Sequence, residues 1–145
     1  MIADLALGPA RMSAMRLRAL QQMFYGPAWR RRWAWLWAGL VCVVTIAALT
    51  PGHTAPSAGL GDKLDHLLAF ASLAASGGLA LRSSWRATLA VATGMVVYGG
   101  FIELAQTQVP GRVGDWADLL ADSVGVALGL ALVLALRQAW RDNTL

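Results

Sequence analysis

The feature that most constrains this chain is an uninterrupted stretch, from Trp33 to Gly61, that contains no Asp, Glu, Lys or Arg. A helix that crosses a membrane needs about 20 mostly apolar residues. The first part, Trp33–Leu49, is apolar, and Pro51-Gly52 then breaks the pattern. We interpret this first part as a membrane-spanning helix and residues 50–61 as a loop.

Three further apolar runs follow, and they are shorter. They hold 15, 16 and 14 residues and comprise Leu67–Leu81, Ala87–Ile102 and Ser123–Leu136. Each reaches the length of a span when charged residues at one end are included. The chain is 57% hydrophobic and 14% charged, whereas soluble domains carry about 25% charged residues. We therefore predict an all-α integral membrane four-helix bundle.

The predicted domain organisation has three parts. A basic cytoplasmic segment, 1–32, precedes a membrane domain, 33–136, and a short cytoplasmic tail, 137–145, follows. The four predicted spans cover about 33–50, 63–81, 86–106 and 117–136. For the first span, cleavage as a signal peptide is the competing interpretation. Within the basic segment, residues 11–25 form either an amphipathic helix on the inner leaflet or an unstructured tail.

The basic residues predict the orientation. With four spans, ten arginines fall on one side, namely Arg11, Arg16, Arg18, Arg30, Arg31, Arg32, Arg82, Arg86, Arg137 and Arg141. Only Lys63 and Arg112 fall on the other side. Because cytoplasmic loops carry the excess of basic residues, both termini are expected in the cytoplasm. The outer side then has six carboxylates against two cations. Because ten of the twelve basic residues flank apolar runs, they fit membrane topology better than phosphate binding, which argues against a nucleic-acid partner. The single cysteine excludes an internal disulfide.

The first polar cluster opens the second span. Asp62 and His66 are four residues apart and share a helix face, with Lys63 and Asp65 beside them. Asp62 is either a helix cap or a ligand-binding residue. His66 lies a full turn into the helix, where exposure to lipid is costly, so we expect it to face the bundle interior.

The second polar cluster closes the third span. Glu103 lies near the end of that span, where the helix dipole disfavours a negative charge, and Gln106 follows on the same face. A carboxylate at this depth must pair, accept hydrogen bonds or stay protonated. Two interpretations remain open: an ion pair with Arg112 that only joins the outer ends, or a ligand-binding site.

The third polar cluster leads into the fourth span. Asp115, Asp118 and Asp122 are spaced i, i+3, i+7 and lie on one stripe of the helix. Asp115 suits a cap, but Asp118 and Asp122 enter the apolar zone, where capping does not explain them. Further along, Gly125 and Gly129 form a GxxxG pattern, which predicts close helix packing.

Together these three motifs resemble those of the VanZ-like membrane proteins. The resemblance covers about residues 33–136 and rests on Asp62-Lys63-x-x-His66, Glu103-x-x-Gln106 and Arg112-x-x-Asp115-x-x-Asp118 in this order. Two positions depart from the family pattern: Asp122 stands where Asn is frequent, and Phe70 where Tyr is frequent. The resemblance implies a multi-pass protein of the bacterial plasma membrane that is linked to glycopeptide (teicoplanin) resistance.

The expected role is to bind a lipid headgroup or a lipid-linked envelope precursor without catalysis. The predicted ligand-binding residues are Asp62, Lys63, His66, Glu103, Gln106, Arg112, Asp115, Asp118 and Asp122. One alternative is an enzyme acting on a lipid-linked substrate, with His66, Glu103 and Asp118 as the catalytic candidates. In that case His66 with Glu103 or Asp118 would act as acid and base, or as ligands for a divalent ion. Another is a small transporter or flippase subunit, which would have to be a homo-oligomer. No cofactor or metal is expected.

Overall fold

The computed structural model describes residues 26–52 and 61–142, together with the single positions Met15 and Ala19. These residues form four helices and no strands: α1 Pro27–Leu49, α2 Asp62–Ala80, α3 Trp85–Gln106 and α4 Trp116–Asp142. The predicted all-α fold is confirmed. Apart from those two single positions, the segment 11–25 lies outside the described residues, as do residues 53–60 of the first loop and 143–145 of the tail.

Two helices extend by about six residues beyond the predicted spans. The helix α1 begins at Pro27, six residues before Trp33, and proline at this first position lacks the N–H that a helix start leaves unpaired. The helix α4 continues to Asp142, past the predicted end of the span at residue 136. Both extensions carry arginines, so the helices project out of the apolar zone at their basic ends.

The helices α2 and α4 lie side by side and run in the same direction. At one end, Lys63 Nζ of α2 lies 3.0 Å from Asp118 Oδ1 of α4. At the other end, Arg137 Nη2 of α4 donates to the carbonyl oxygen of Gly78, 2.6 Å away. The end at which α2 and α4 begin is called the polar end below, and the opposite end is called the arginine end.

The helices α1 and α3 run in the opposite direction. Gln106, the last residue of α3, donates to the carbonyl oxygen of Ala48 near the end of α1 at 3.3 Å. At the arginine end, Arg30 in the second turn of α1 donates to the carbonyl oxygen of Ala80 at 3.4 Å. The result is an up-down-up-down bundle, which brings all three polar motifs to one end.

Glycines allow α2 and α4 to approach closely. A Cβ atom at Gly125 would collide with the carbonyl oxygen of Leu67, and one at Gly129 with that of Ala71. The packing predicted from the GxxxG pattern is therefore confirmed. Around this contact lies the buried core, which includes Phe70, Leu73, Ala74, Met95, Val126 and Leu130.

Three described helices are long and apolar enough to cross a membrane: Pro27–Leu49, Trp85–Gln106 and Trp116–Ala139. The fourth, α2, carries four polar residues in its first two turns, which lowers its mean hydropathy. It nevertheless has 19 residues, a length of about 28 Å, and it contacts α4 near both of its own ends, through Lys63 and Gly78. This length is close to the thickness of the apolar layer of a membrane, about 30 Å.

Candidate functional site at the polar end

Side chains from three helices meet at His66. The Nδ1 atom of His66 lies 2.9 Å from Asp122 Oδ1 on α4 and 3.9 Å from Glu103 Oε1 on α3. Asp122 is fully buried and Glu103 nearly so. The prediction that His66 faces the bundle interior is confirmed, since burial in lipid without these partners would be costly.

The other oxygen of Glu103 has a backbone partner. Glu103 Oε2 accepts a hydrogen bond from the backbone N–H of Asp115 at 2.8 Å. The loop reaches this position because Gly114 packs against the backbone of Glu103, where a Cβ would lie only 2.7 Å from the carbonyl oxygen. The alternative of a Glu103–Arg112 ion pair is wrong: no ion pair joins these two described residues.

Arg112 instead caps the end of α1. Its Nη2 donates to the carbonyl oxygen of Ala47 at 3.2 Å, and its Nε donates to that of Thr50 at 3.4 Å. Gln106 donates to the neighbouring carbonyl oxygen of Ala48. The last carbonyls of a helix lack partners within it and carry partial negative charge, so a guanidinium is favourable there.

Lys63 bridges two carboxylates of the third motif. Its Nζ lies 2.9 Å from Asp115 Oδ2 and 3.0 Å from Asp118 Oδ1. Asp115 also accepts the backbone N–H of Ala117 through Oδ1 at 2.9 Å, so the capping role predicted for Asp115 is confirmed. The hydrogen bond from Lys63, and then that from Ala117, hold the pKa of Asp115 below its usual value.

Asp62 does not cap α2, so that alternative is wrong. The cap is Gly61, whose φ of 99° lies in the left-handed region that glycine adopts readily. Asp62 is the first helical residue and its side chain is exposed. It lines a pocket at the polar end.

A pocket of about 410 Å³ opens between α1, α2 and α3 at the polar end. Its deeper wall is apolar and includes Val44, Phe70 and Ile102, whereas its mouth is polar. A second hollow adjoins it, and the two share Asp62, His66, Gln106 and Arg112. Of the remaining predicted site residues, Asp115 and Asp118 line the second hollow.

Sequence reasoning missed the contribution of α1 to this site. The carbonyl oxygens of Ala47, Ala48 and Thr50 anchor Arg112 and Gln106, and Val44 lines the pocket. The carbonyl oxygens have no residue-type signal, because any residue supplies the same backbone group. The one general rule that could have predicted the Arg112 contacts is that basic side chains favour helix C-termini.

Two groups of side chains have spacing suited to a metal ion. One comprises His66, Glu103 and Asp122, and the other Asp62, His66 and Asp118. In each group, one ligand atom per residue lies within 4.8 Å of the others.

The VanZ/LLP1 family model matches residues 20–137, which include every helix that lines the pocket. No curated protein matches the chain, and no solved structure does.

Proposed function

Because this chain belongs to the VanZ/LLP1 family, we propose that its polar end binds the headgroup of a membrane lipid or of a lipid-linked envelope precursor. The protein would act without catalysis at the outer face of the bacterial plasma membrane. Through this binding it would change the access of glycopeptides such as teicoplanin to their target.

The observation that carries the proposal is the two-sided character of the pocket. Val44, Phe70 and Ile102 form an apolar wall, and His66 with Arg112 contributes to a polar mouth. A membrane lipid has the same division, since its acyl or prenyl chain is apolar and its headgroup is polar. Ligand pockets commonly combine apolar walls with a few fixed polar groups.

The charges at the mouth suit a headgroup that carries both signs. Arg112 lines both hollows and supplies positive charge to a phosphate, and Asp62 and Asp118 can accept hydrogen bonds from hydroxyl or ammonium groups. Arg112 is held by carbonyl oxygens, and among the residues that the structure describes no carboxylate forms an ion pair with it.

The outward direction of the polar end is supported by the arginines at the opposite end. Arg30, Arg82, Arg86 and Arg137 lie in or next to helix segments at the arginine end. An excess of arginine marks the cytoplasmic side. On that basis, the pocket mouth lies where glycopeptides and envelope precursors are accessible.

A susceptibility measurement tests the proposed function. The wild type and Glu103→Gln are expressed at equal abundance in a teicoplanin-susceptible bacterium. Leu104→Val, at the exposed neighbouring position, is the matched control. We expect protection by the wild type and the control and loss of protection by Glu103→Gln. Equal protection by all three proteins would contradict a role for the polar end.

A specific contact favours an enzyme as the second candidate function. His66 Nδ1 lies 2.9 Å from Asp122 Oδ1, and this contact orients the imidazole. In the tautomer that donates from Nδ1 to Asp122, Nε2 is the nitrogen that can exchange a proton at the pocket wall. Turnover of a lipid-linked phosphate by the purified wild type, and its loss in His66→Gln, would favour this candidate.

A further inference from the structure

The group formed by His66, Glu103 and Asp122 is compact and shielded from solvent. Asp122 is 0% exposed and Glu103 is 8% exposed. The two distances from His66 Nδ1 are 2.9 Å to Asp122 and 3.9 Å to Glu103. The group therefore offers one nitrogen and two carboxylates around a common point.

Both carboxylates keep a buried oxygen that lacks a hydrogen bond. Within the part of the chain that the structure describes, Glu103 Oε1 and Asp122 Oδ2 have no hydrogen-bond partner. Glu103 Oε1 is the oxygen directed at His66. A buried carboxylate oxygen without a partner is costly, and it points to a positively charged group that completes the site.

The basic side chains at the polar end do not supply that charge. Lys63 pairs with Asp115 and Asp118, and Arg112 donates to the end of α1. Neither forms an ion pair with Glu103 or Asp122 among residues 61–142. A protonated His66 offsets one negative charge, whereas two ionised carboxylates carry two.

We propose that His66, Glu103 and Asp122 bind one divalent cation of the zinc or manganese class. The ligand chemistry fits, since imidazole nitrogen and carboxylate oxygen suit these ions. Ligand atoms about 2.0–2.2 Å from a common ion lie roughly 3–4 Å apart, close to the two distances at His66. Nδ1 of the neutral imidazole binds the ion through its lone pair, and the ring proton then resides on Nε2.

This inference deepens the proposed function and rests on it for the identity of the ligand. Three protein ligands leave coordination positions open. A phosphate oxygen of a headgroup can occupy such a position, so the cation explains how an acidic pocket holds an anionic headgroup.

The competing group, Asp62, His66 and Asp118, is less suited to a cation. Asp118 Oδ1 already accepts a hydrogen bond from the ammonium of Lys63 at 3.0 Å, which would repel a second positive charge. Asp62 is exposed, so water can solvate its carboxylate. The two groups make different predictions for single substitutions.

Binding of Mn²⁺ alone tests the inference, with no lipid-linked precursor present. The full chain in phosphatidylcholine nanodiscs is titrated with Mn²⁺ and followed by electron paramagnetic resonance, with empty nanodiscs subtracted. We expect one bound Mn²⁺ per chain, nitrogen modulation from one histidine, and displacement by Zn²⁺. Absence of binding above empty nanodiscs would overturn the cation site and leave lipid binding to its own test.

Substitutions locate the ion. Asp122→Asn should weaken Mn²⁺ binding about tenfold or more, as expected when metal-site contacts are lost. Asp62 is exposed, so we expect Asp62→Asn to fold like the wild type. It should keep the wild-type affinity for Mn²⁺ and the nitrogen modulation. Loss of binding in Asp62→Asn would place the ion in the competing group and contradict the proposal, whether or not Asp122→Asn folds.

Discussion

The guanidinium of Arg112 donates to the carbonyl oxygen of Ala47, 3.2 Å away, and thereby ties the loop before α4 to the end of α1. Arg112 could have paired with Glu103, but Glu103 is bound by the backbone of Asp115 instead. The polar end therefore has two separate parts: a structural clamp on α1, and an acidic group around His66.

The clamp predicts a stability effect. Arg112→Met should lower the free energy of unfolding by about 1–2 kcal/mol, because the last carbonyls of α1 lose charged donors. Arg112→Lys should have a stability between those of the wild type and Arg112→Met, since an ammonium keeps the charge but cannot donate to two carbonyls in the geometry of a guanidinium. Thermal unfolding in detergent measures both. Arg82→Met, at an exposed position of the arginine end, is the control and should leave stability unchanged.

The glycine contact between α2 and α4 predicts a second effect. Gly129→Ala should destabilise the bundle by roughly 1–3 kcal/mol, because the added methyl meets the backbone of Ala71. Gly94→Ala is matched in chemistry, and a Cβ there meets no atom of the described residues within 4 Å. It should be neutral or slightly stabilising. Equal unfolding temperatures for the two variants would argue against the close α2–α4 packing.

The Lys63–Asp115 contact predicts a dependence of stability on pH. The pKa of Asp115 is held below its usual 3.8 in the folded protein, mainly by Lys63. A group with a depressed folded pKa stabilises the fold above its unfolded pKa, and this contribution is lost as the pH falls through the folded value. Unfolding measured from pH 7 to pH 3 should show Asp115→Asn less stable than the wild type at neutral pH. The difference should shrink below about pH 4; a constant difference would contradict the assignment.

The arginine distribution predicts the orientation in the membrane. Periplasmic-type reporters fused after residue 58 and after residue 112 should both be active, since each fusion point precedes an inward-going span. After residue 84, only a reporter that functions in the cytoplasm should be active. A cytoplasmic signal at residue 58 or 112 would place the pocket on the inner side and remove the proposed connection to glycopeptides.

Much of the fold could be predicted from the sequence because helix periodicity and span length leave a membrane chain few choices. The cost of exposing an imidazole to lipid predicted that His66 faces the interior. Spacing put Asp118 and Asp122 on one stripe of α4, and Gly125 with Gly129 indicated the packing face. The partners of the polar groups were harder to predict. Arg112 and Glu103 both bind backbone groups, and whether such a group is within reach depends on how helix ends align and how a loop folds back.

The most direct test of lipid binding at the polar end measures the lipid that the pocket retains. Native mass spectrometry of the protein released from phosphatidylcholine nanodiscs that contain a polyprenyl phosphate reports which lipid stays bound. Ala69→Leu fills the pocket without changing charge, and Ala90→Leu makes the same change at an exposed position of α3. We expect one polyprenyl phosphate per chain for the wild type and Ala90→Leu, and roughly tenfold weaker retention for Ala69→Leu. Equal retention by all three proteins, or none by the wild type, would contradict binding at the polar end.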